Sequence, residues 1–466
     1  MQMRVALLTI CVCFCGLSVK SQDKPEDISA RIRQIEANIE LLRGQLEKLK
    51  QEVAPAENPS VAAATAKVAP PAEKQEKKPP AGIDLGPVNL TPYGTVYLNM
   101  FGNSGGNNNS DVPLFATPTG TGGIGGTVRQ TRLGLRFTGP KIKNALTSGA
   151  VEADFYGGFP AIGIGENFGV VRVRLAYIKA EWKKTALIVG QDWVPFAPVN
   201  PVSLASAAIP EMAASGNLWT RTPQIRLERR WHKGNILWQG AVLSPASGDF
   251  PTGTNSPALL QPGTGAASKL PYLQSRVSIN DKNWLGLKKA GSIGVSGLYG
   301  HERVGQNTHE IETVGVALDW NLPLTQQVSF LGEGFFGRGL AGFQGGVFQG
   351  IVADFAYRRG AALVAGGPRA AGTRGGWAQL GVTPTIMQNK LSFYATFGQD
   401  DPRDADLINL ARRDARARNQ AYSLSSIYKW STQWSWGLEW RRTKTTYTQS
   451  GRQSNNHLNL SAAYTF

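Results

Sequence analysis

The run His457-Leu458-Asn459-Leu460-Ser461-Ala462-Ala463-Tyr464-Thr465-Phe466 has a period of two. Leu458, Leu460, Ala462, Tyr464 and Phe466 share one face, and His457, Asn459, Ser461 and Thr465 share the other. Successive side chains of a strand point to opposite sides, so such a run is a strand with one greasy and one polar face. The same texture stands just upstream, where Trp434, Trp436, Leu438 and Trp440 oppose Ser435, Gly437, Glu439 and Arg441. It recurs where Leu133, Leu135 and Phe137 oppose Arg132, Arg136 and Thr138, and where Val171, Val173, Leu175 and Tyr177 oppose Arg172 and Arg174.

A soluble sandwich also alternates, but it hides the greasy face between its sheets. Two features favour the inverted arrangement, in which the greasy face meets lipid. The strand candidates run to nine to eleven residues, the length that spans a bilayer. Tryptophans and tyrosines stand near many strand ends, as in the interfacial girdles of membrane barrels. The fold expected is therefore all-β, a transmembrane antiparallel β-barrel of about sixteen strands over residues 83–466.

The links between strands alternate in length. Short ones fall near 141–144, 183–184, 232–234, 281–290, 321–326, 384–389 and 430–432. Long ones span 101–127, 157–169, 191–223, 244–269, 302–309, 338–375, 398–420 and 445–452, with the periodicity near Leu340 to Leu363 ambiguous. Short turns on one side and long loops on the other are the connectivity of outer-membrane barrels.

Upstream, Arg4 precedes an apolar run from Val5 to Leu17, then small and polar residues. That is a secretory signal peptide over 1–21, too short in its apolar part for a spanning helix. Cys11, Cys13 and Cys15 are the chain's three cysteines and lie within it, so the exported part has no thiol for a disulfide or a metal.

Within 22–53 the apolar residues Ile28, Ile32, Ile35, Ile39, Leu42, Leu46, Leu49 and Val53 alternate spacings of four and three, a heptad seam. Isoleucine at both core positions favours a trimeric coiled coil. The competing reading is a single amphipathic helix packed on its own domain. Residues 54–82 are rich in Pro, Ala and Lys and read as an extended linker.

The formal charge is +16, and residues 83–466 hold 37 basic against 23 acidic residues, 14 of that excess. A basic chain suggests nucleic acid, but export and strand alternation argue against it. The inward face is expected to include Arg132, Arg136, Arg172, Arg174, Arg226, Arg230, Arg276 and Arg441, a ladder of permanently charged forks suited to carboxylate or phosphate. Their competing role is to pair with inward Glu152, Asp154, Glu228 and Glu439. The apolar, proline-rich link 191–223 reads as a loop folded into the bore, with Asp192, Trp193, Glu211 and Arg221 at the constriction.

Catalysis finds no support. Gly102 to Gly106 matches G-x-S-x-G and Gly120 to Gly125 matches G-x-G-x-x-G, but neither has a strand-then-helix context. His232, His301, His309 and His457 are too scattered to hold a metal. No enzyme activity, cofactor or metal is expected.

The order of signal peptide, coiled coil, linker and barrel, with Thr131-Arg132-Leu133-Gly134-Leu135-Arg136-Phe137 and Gly190-Gln191-Asp192-Trp193-Val194-Pro195-Phe196, resembles the DcaP-like porins. The resemblance covers most of the chain. It implies a sixteen-strand homotrimer in the bacterial outer membrane, its coiled coil in the periplasm, passing small organic anions such as dicarboxylates or aromatic acids. The expected partners are small anionic solutes, outer-membrane lipid and further copies of the chain, with peptidoglycan or a periplasmic partner open to the coiled coil. Two alternatives remain: a phosphate-selective porin, and an envelope-anchoring or adhesin barrel whose conduction is incidental.

Overall fold

The computed structural model describes residues 82–157, 169–245, 263–304 and 309–466, together with Ala37, Glu40 and Gly44, which are helical. The signal peptide, the linker up to residue 81 and the rest of the coiled coil lie outside the described residues.

Sixteen wall strands are present among the described residues. They are β1 (Asn89–Asn107), β2 (Ala116–Thr127 and Arg132–Thr138), β3 (Leu146–Asp154), β4 (Arg172–Glu181), β5 (Thr185–Trp193), β6 (Arg221–Trp231), β7 (Ile236–Leu243) and β8 (Tyr272–Asp281). The second half comprises β9 (Gly291–Val304), β10 (His309–Pro323), β11 (Val328–Arg338), β12 (Gly372–Val382), β13 (Leu391–Pro402), β14 (Arg416–Lys429), β15 (Trp434–Tyr447) and β16 (Gly451–Thr465). Each pairs antiparallel with the next, and β1 closes on β16 from Thr95↔Thr465 to Asn103↔His457. Closure leaves the barrel wall without a free edge, the condition for crossing hydrocarbon with strands.

The seven short links stand where the sequence places them. The tightest, at Ile142 to Ala145, has both central residues at positive φ, Lys143 at 47° and Asn144 at 64°. That backbone matches the twist of the paired strands. The long links differ from expectation at three places. Strands β1 and β2 extend into 101–127 and leave only 108–115 between them (loop 1), β9 runs on to Val304 and β10 starts at His309, and 448–450 is a short turn. At 101–127 and 445–452 the Gly, Asn, Thr or Gln composition that reads as loop instead continues a ladder, because a strand that has left the membrane no longer needs an apolar face.

Outward residues carry the greasy face: Leu438 is 50% exposed, Leu460 48% and Val173 52%. The buried residues are inside the bore, the reverse of a soluble sandwich. One face assignment is corrected. Glu152↔Leu175 is followed by Ala153↔Val173, which leaves Arg174 as the extra residue of a bulge in β4. A one-residue insertion flips every later side chain. Tyr177, expected on the greasy face, therefore shares a face with Ala150 inside the barrel, and its neighbour Ile178 is the exposed one.

Candidate functional site: the occluded bore

Two long links fold into the barrel. Loop 3 (194–220) is almost wholly buried, with Phe196, Met212 and Leu218 at 2% exposure or less. Loop 6 (339–371), where the sequence was ambiguous, sends Leu340, Phe343 and Val347 in behind it. Phe343 packs edge-on against Phe196 at 5.7 Å and stacks on Tyr272 of β8 at 6.4 Å. Loop 1 adds Val112 and Leu114 to the cluster around Tyr156, Ile209 and Trp219.

An irregular segment inside a barrel must find partners for its backbone. Loop 3 finds them on inward polar side chains. Gln379 of β12 accepts from Val202 N at 2.9 Å and donates to Val202 O at 3.0 Å. Gln130, in the break of β2, donates to Ala205 O and accepts from the nitrogens of Ala207 and Ala208. Gln274 accepts from Phe196 N and Glu333 from Leu218 N. Asn419 donates to Ala214 O at 2.9 Å. Much of the inward polarity therefore supports the loop rather than the bore.

The expected site residues divide. Arg132, Arg136, Arg172, Arg174, Arg226 and Arg230 come together on the β2–β6 wall, while Arg276 of β8 and Arg441 of β15 stand elsewhere. Arg276 reaches over Gly294, where a Cβ would lie 2.4 Å from its guanidinium, to grip Asp319 of β10 at 2.6 and 2.9 Å. Arg441 holds Glu439 at 2.6 Å and Ser206 of loop 3 at 2.6 Å.

On the β2–β6 wall, Arg172 grips Asp154 and donates to Ala208 O of loop 3. Arg174 bridges Glu152 and Asp154, Arg226 bridges Asp192 and Glu228, and Arg230 holds Glu181. Arg132 and Arg136 differ. Arg132 donates to the Tyr97 hydroxyl at 2.9 Å, and Arg136 lies over the Tyr93 ring at 3.9 Å, exposed. Neither forms an ion pair among the described residues. With Lys179, which also pairs Glu181, and apart from Arg221 at its end, seven cationic side chains on this wall face five carboxylates, an excess of two.

At the upper end of the wall, where the chain leaves it as loop 3, Trp193 and Arg221 are cross-strand neighbours, with the Arg221 Cζ 4.3 Å from the Trp193 ring and 5.3 Å from Trp219. Glu211 is fully buried and bonds Ser423 of β14 near Glu439. Burial first, and the Glu439 carboxylate second, push Glu211 up to about 8. A cavity of about 690 Å³ opens beside these loops, lined by Asn103, Arg129, Tyr156, Arg172 and Ile209. Sequence reasoning missed Arg129, which Asp111 and Tyr156 hold, together with Gln130, Gln379 and the Tyr93–Arg136 stack. No group of His, Asp and Glu among the described residues is placed to hold a metal.

No family model matches the chain, and no curated protein does. Solved structures do. The outer membrane channel DcaP of Acinetobacter baumannii is similar with a TM-score of 0.61 and 17% identity, over 83% of this chain and all of that one. An anion-selective porin from Comamonas acidovorans follows at 0.51 and 12%, over 81% of this chain and all of that one. Salmonella typhi OmpF, in complex with daunomycin, gives 0.51 and 11% over 83% of this chain and all of that one. At such identities the likeness speaks for the fold, and with the closed sixteen-strand wall and its lipid-facing outer band it means that this chain has the DcaP-like porin fold of an outer-membrane channel.

Proposed function

We propose that the chain works as an outer-membrane porin, a passive and anion-favouring diffusion path for small organic anions such as dicarboxylates, assembled as a homotrimer within outer-membrane lipid. The carrying observation is the charge balance of the β2–β6 wall, where seven cations face five carboxylates and Arg132 and Arg136 rest on tyrosines instead of acids. Acids elsewhere in the bore sit under the loops, with Glu302, Glu333 and Asp400 each 1% exposed or less. A permeating ion therefore meets guanidinium groups before it meets carboxylates. The neighbour described as an anion-selective porin has the same fold and lends weight to the reading. Residues 22–53 would project into the periplasm as a coiled coil, beside peptidoglycan or a periplasmic partner.

The test is the reversal potential of purified protein in planar bilayers across a KCl gradient. The expected sign is that of anion preference, and a cation sign defeats the reading. Substituting Arg132 and Arg136 by Gln should lower the permeability ratio by roughly two- to threefold, as for two charges close to a narrow path. Arg172 and Arg226 are poor choices for this purpose. Removing Arg172 leaves Asp154 with Arg174 alone and frees Ala208 O of loop 3, and removing Arg226 leaves Asp192 without its cation, so either change disturbs the packing of the wall as well as its charge.

A further inference from the structure

Three arginines of this barrel share one habit. Arg129 turns Nε and Nη2 to Asp111, Arg172 turns them to Asp154, and Arg276 turns them to Asp319. Those two nitrogens carry parallel N–H bonds that fit the two oxygens of one carboxylate. Arg221 has the same edge and no carboxylate on it. Its Nε and Nη2 are each exposed by less than 1 Å² and have no hydrogen-bond partner among the described residues, and the same holds for Nε1 of the adjoining Trp219.

Three donors thus stand together at the root of loop 3 without an acceptor. The nearby acids are already engaged: Asp154 and Glu152 are held by Arg172 and Arg174. The rings of Trp193 and Trp219, 6.1 Å apart and inclined at 56°, flank the guanidinium on adjacent sides, so an acceptor at the Nε/Nη2 edge meets two indoles beside it. Leaving a buried charged donor unmatched is costly, and in a channel wall a visiting solute can relieve that cost.

We infer that Arg221 is the solute-binding residue of this channel, its Nε/Nη2 edge taking two oxygens of one anionic group, the carboxylate of an organic acid, beside Trp193 and Trp219. The inference rests on the anion-channel reading above and deepens it. Because the edge has almost no exposed surface, the solute enters with a shift of the segment carrying Trp219. That segment is held by the bonds of Leu218 N to Glu333 and of Trp219 N to Phe343 O. Binding and movement of loop 3 are then one event. The tryptophans favour an acid whose carboxylate sits on an apolar body.

The full-length protein in planar bilayers tests this with benzoate, methyl benzoate and inorganic phosphate added to a chloride current. Wild type should show saturable block by benzoate and none by the ester. Arg221→Lys keeps the charge but has no parallel pair, so benzoate affinity should fall about tenfold or more while the KCl reversal potential keeps its anion sign. Phosphate block that weakens in step with benzoate assigns the edge to any two-oxygen anion, and absence of phosphate block restricts it to carboxylates; both outcomes keep the site. Equal benzoate affinity in wild type and Arg221→Lys, or no saturable block in wild type, overturns it. Should Arg221→Lys fail to assemble, Arg221→Gln carries the same expectation. A cation-preferring reversal potential in wild type would instead defeat the channel reading on which the site rests.

Discussion

On the β2–β6 wall Arg136 stands exposed with its guanidinium over a tyrosine ring, whereas on β15 Arg441 is 3% exposed and tied to Glu439 and to Ser206 of loop 3. Both arginines alternate with outward apolar residues, and both face inward. The difference is what covers them. The β12–β15 wall meets loop 3 through Gln379, Ser423, Glu439 and Arg441, and there water is replaced by loop backbone and hydroxyls. The lower β2–β6 wall keeps its water at Arg136. Inward polarity in this barrel therefore serves two ends: where it is wet it acts on solutes, and where it is dry it satisfies a folded-in loop.

The largest effect should come from disturbing the dry wall. In Glu439→Ala, Arg441 loses its carboxylate in a buried site and the Ser203 hydroxyl loses an acceptor 2.5 Å away. Breaking a buried pair from one side costs about 3–5 kcal/mol. The temperature at which the barrel loses its compact mobility in SDS electrophoresis should drop by many degrees. A midpoint like that of wild type would mean that the two walls do not differ in kind.

Acidity should act on the same contact more gently. Docked in the barrel, Glu211 prefers its proton up to about 8, because burial and the Glu439 carboxylate both oppose ionisation; displaced into water it would titrate near 4.5. The proton belongs to the docked state, so docking is strongest below pH 4.5 and weakens as the pH rises towards 8. Each unit within that window shifts the loop equilibrium by up to about tenfold, and above it the dependence ends. Single-channel conductance should rise across the window, and Glu211→Gln should hold a low, pH-independent value. Conductance that falls with rising pH would contradict the docking role of Glu211.

Much of this division was legible in the sequence, and some of it could not have been. Alternation located the barrel, the seven short turns and the inward side of Arg132, Arg226 and Arg441, because a period of two survives without knowledge of neighbours. It failed at Tyr177, since the bulge at Arg174 adds one residue that no local composition announces. It failed at loop 6 for a different reason. Val347 and Phe348 hold positive φ of 51° and 62°, a strained backbone kept in place by Asp400, which accepts from Val347 N, and by Arg416, which donates to Val347 O. Such a shape is imposed from across the bore and leaves no period to read. Whether an inward arginine is wet or dry likewise depends on which loop lies over it, and pairing partners such as Asp319 for Arg276 are 43 residues away.

The smallest effect should appear on the wet wall. Tyr93 lies over Gly134 and carries the Arg136 guanidinium on its face, without a hydrogen bond between them. A cation over an aromatic ring at an exposed site contributes about 0.5–1 kcal/mol. Tyr93→Leu should therefore move the melting midpoint by only a degree or two and leave the reversal potential near its wild-type value, because the charge stays in the path. Arg136→Ala should be equally mild for stability yet move the reversal potential, since there the charge itself is gone. If Tyr93→Leu destabilised the barrel as much as Glu439→Ala does, Arg136 would be a structural arginine like Arg441, and the wet wall would lose one of the two cations that distinguish it.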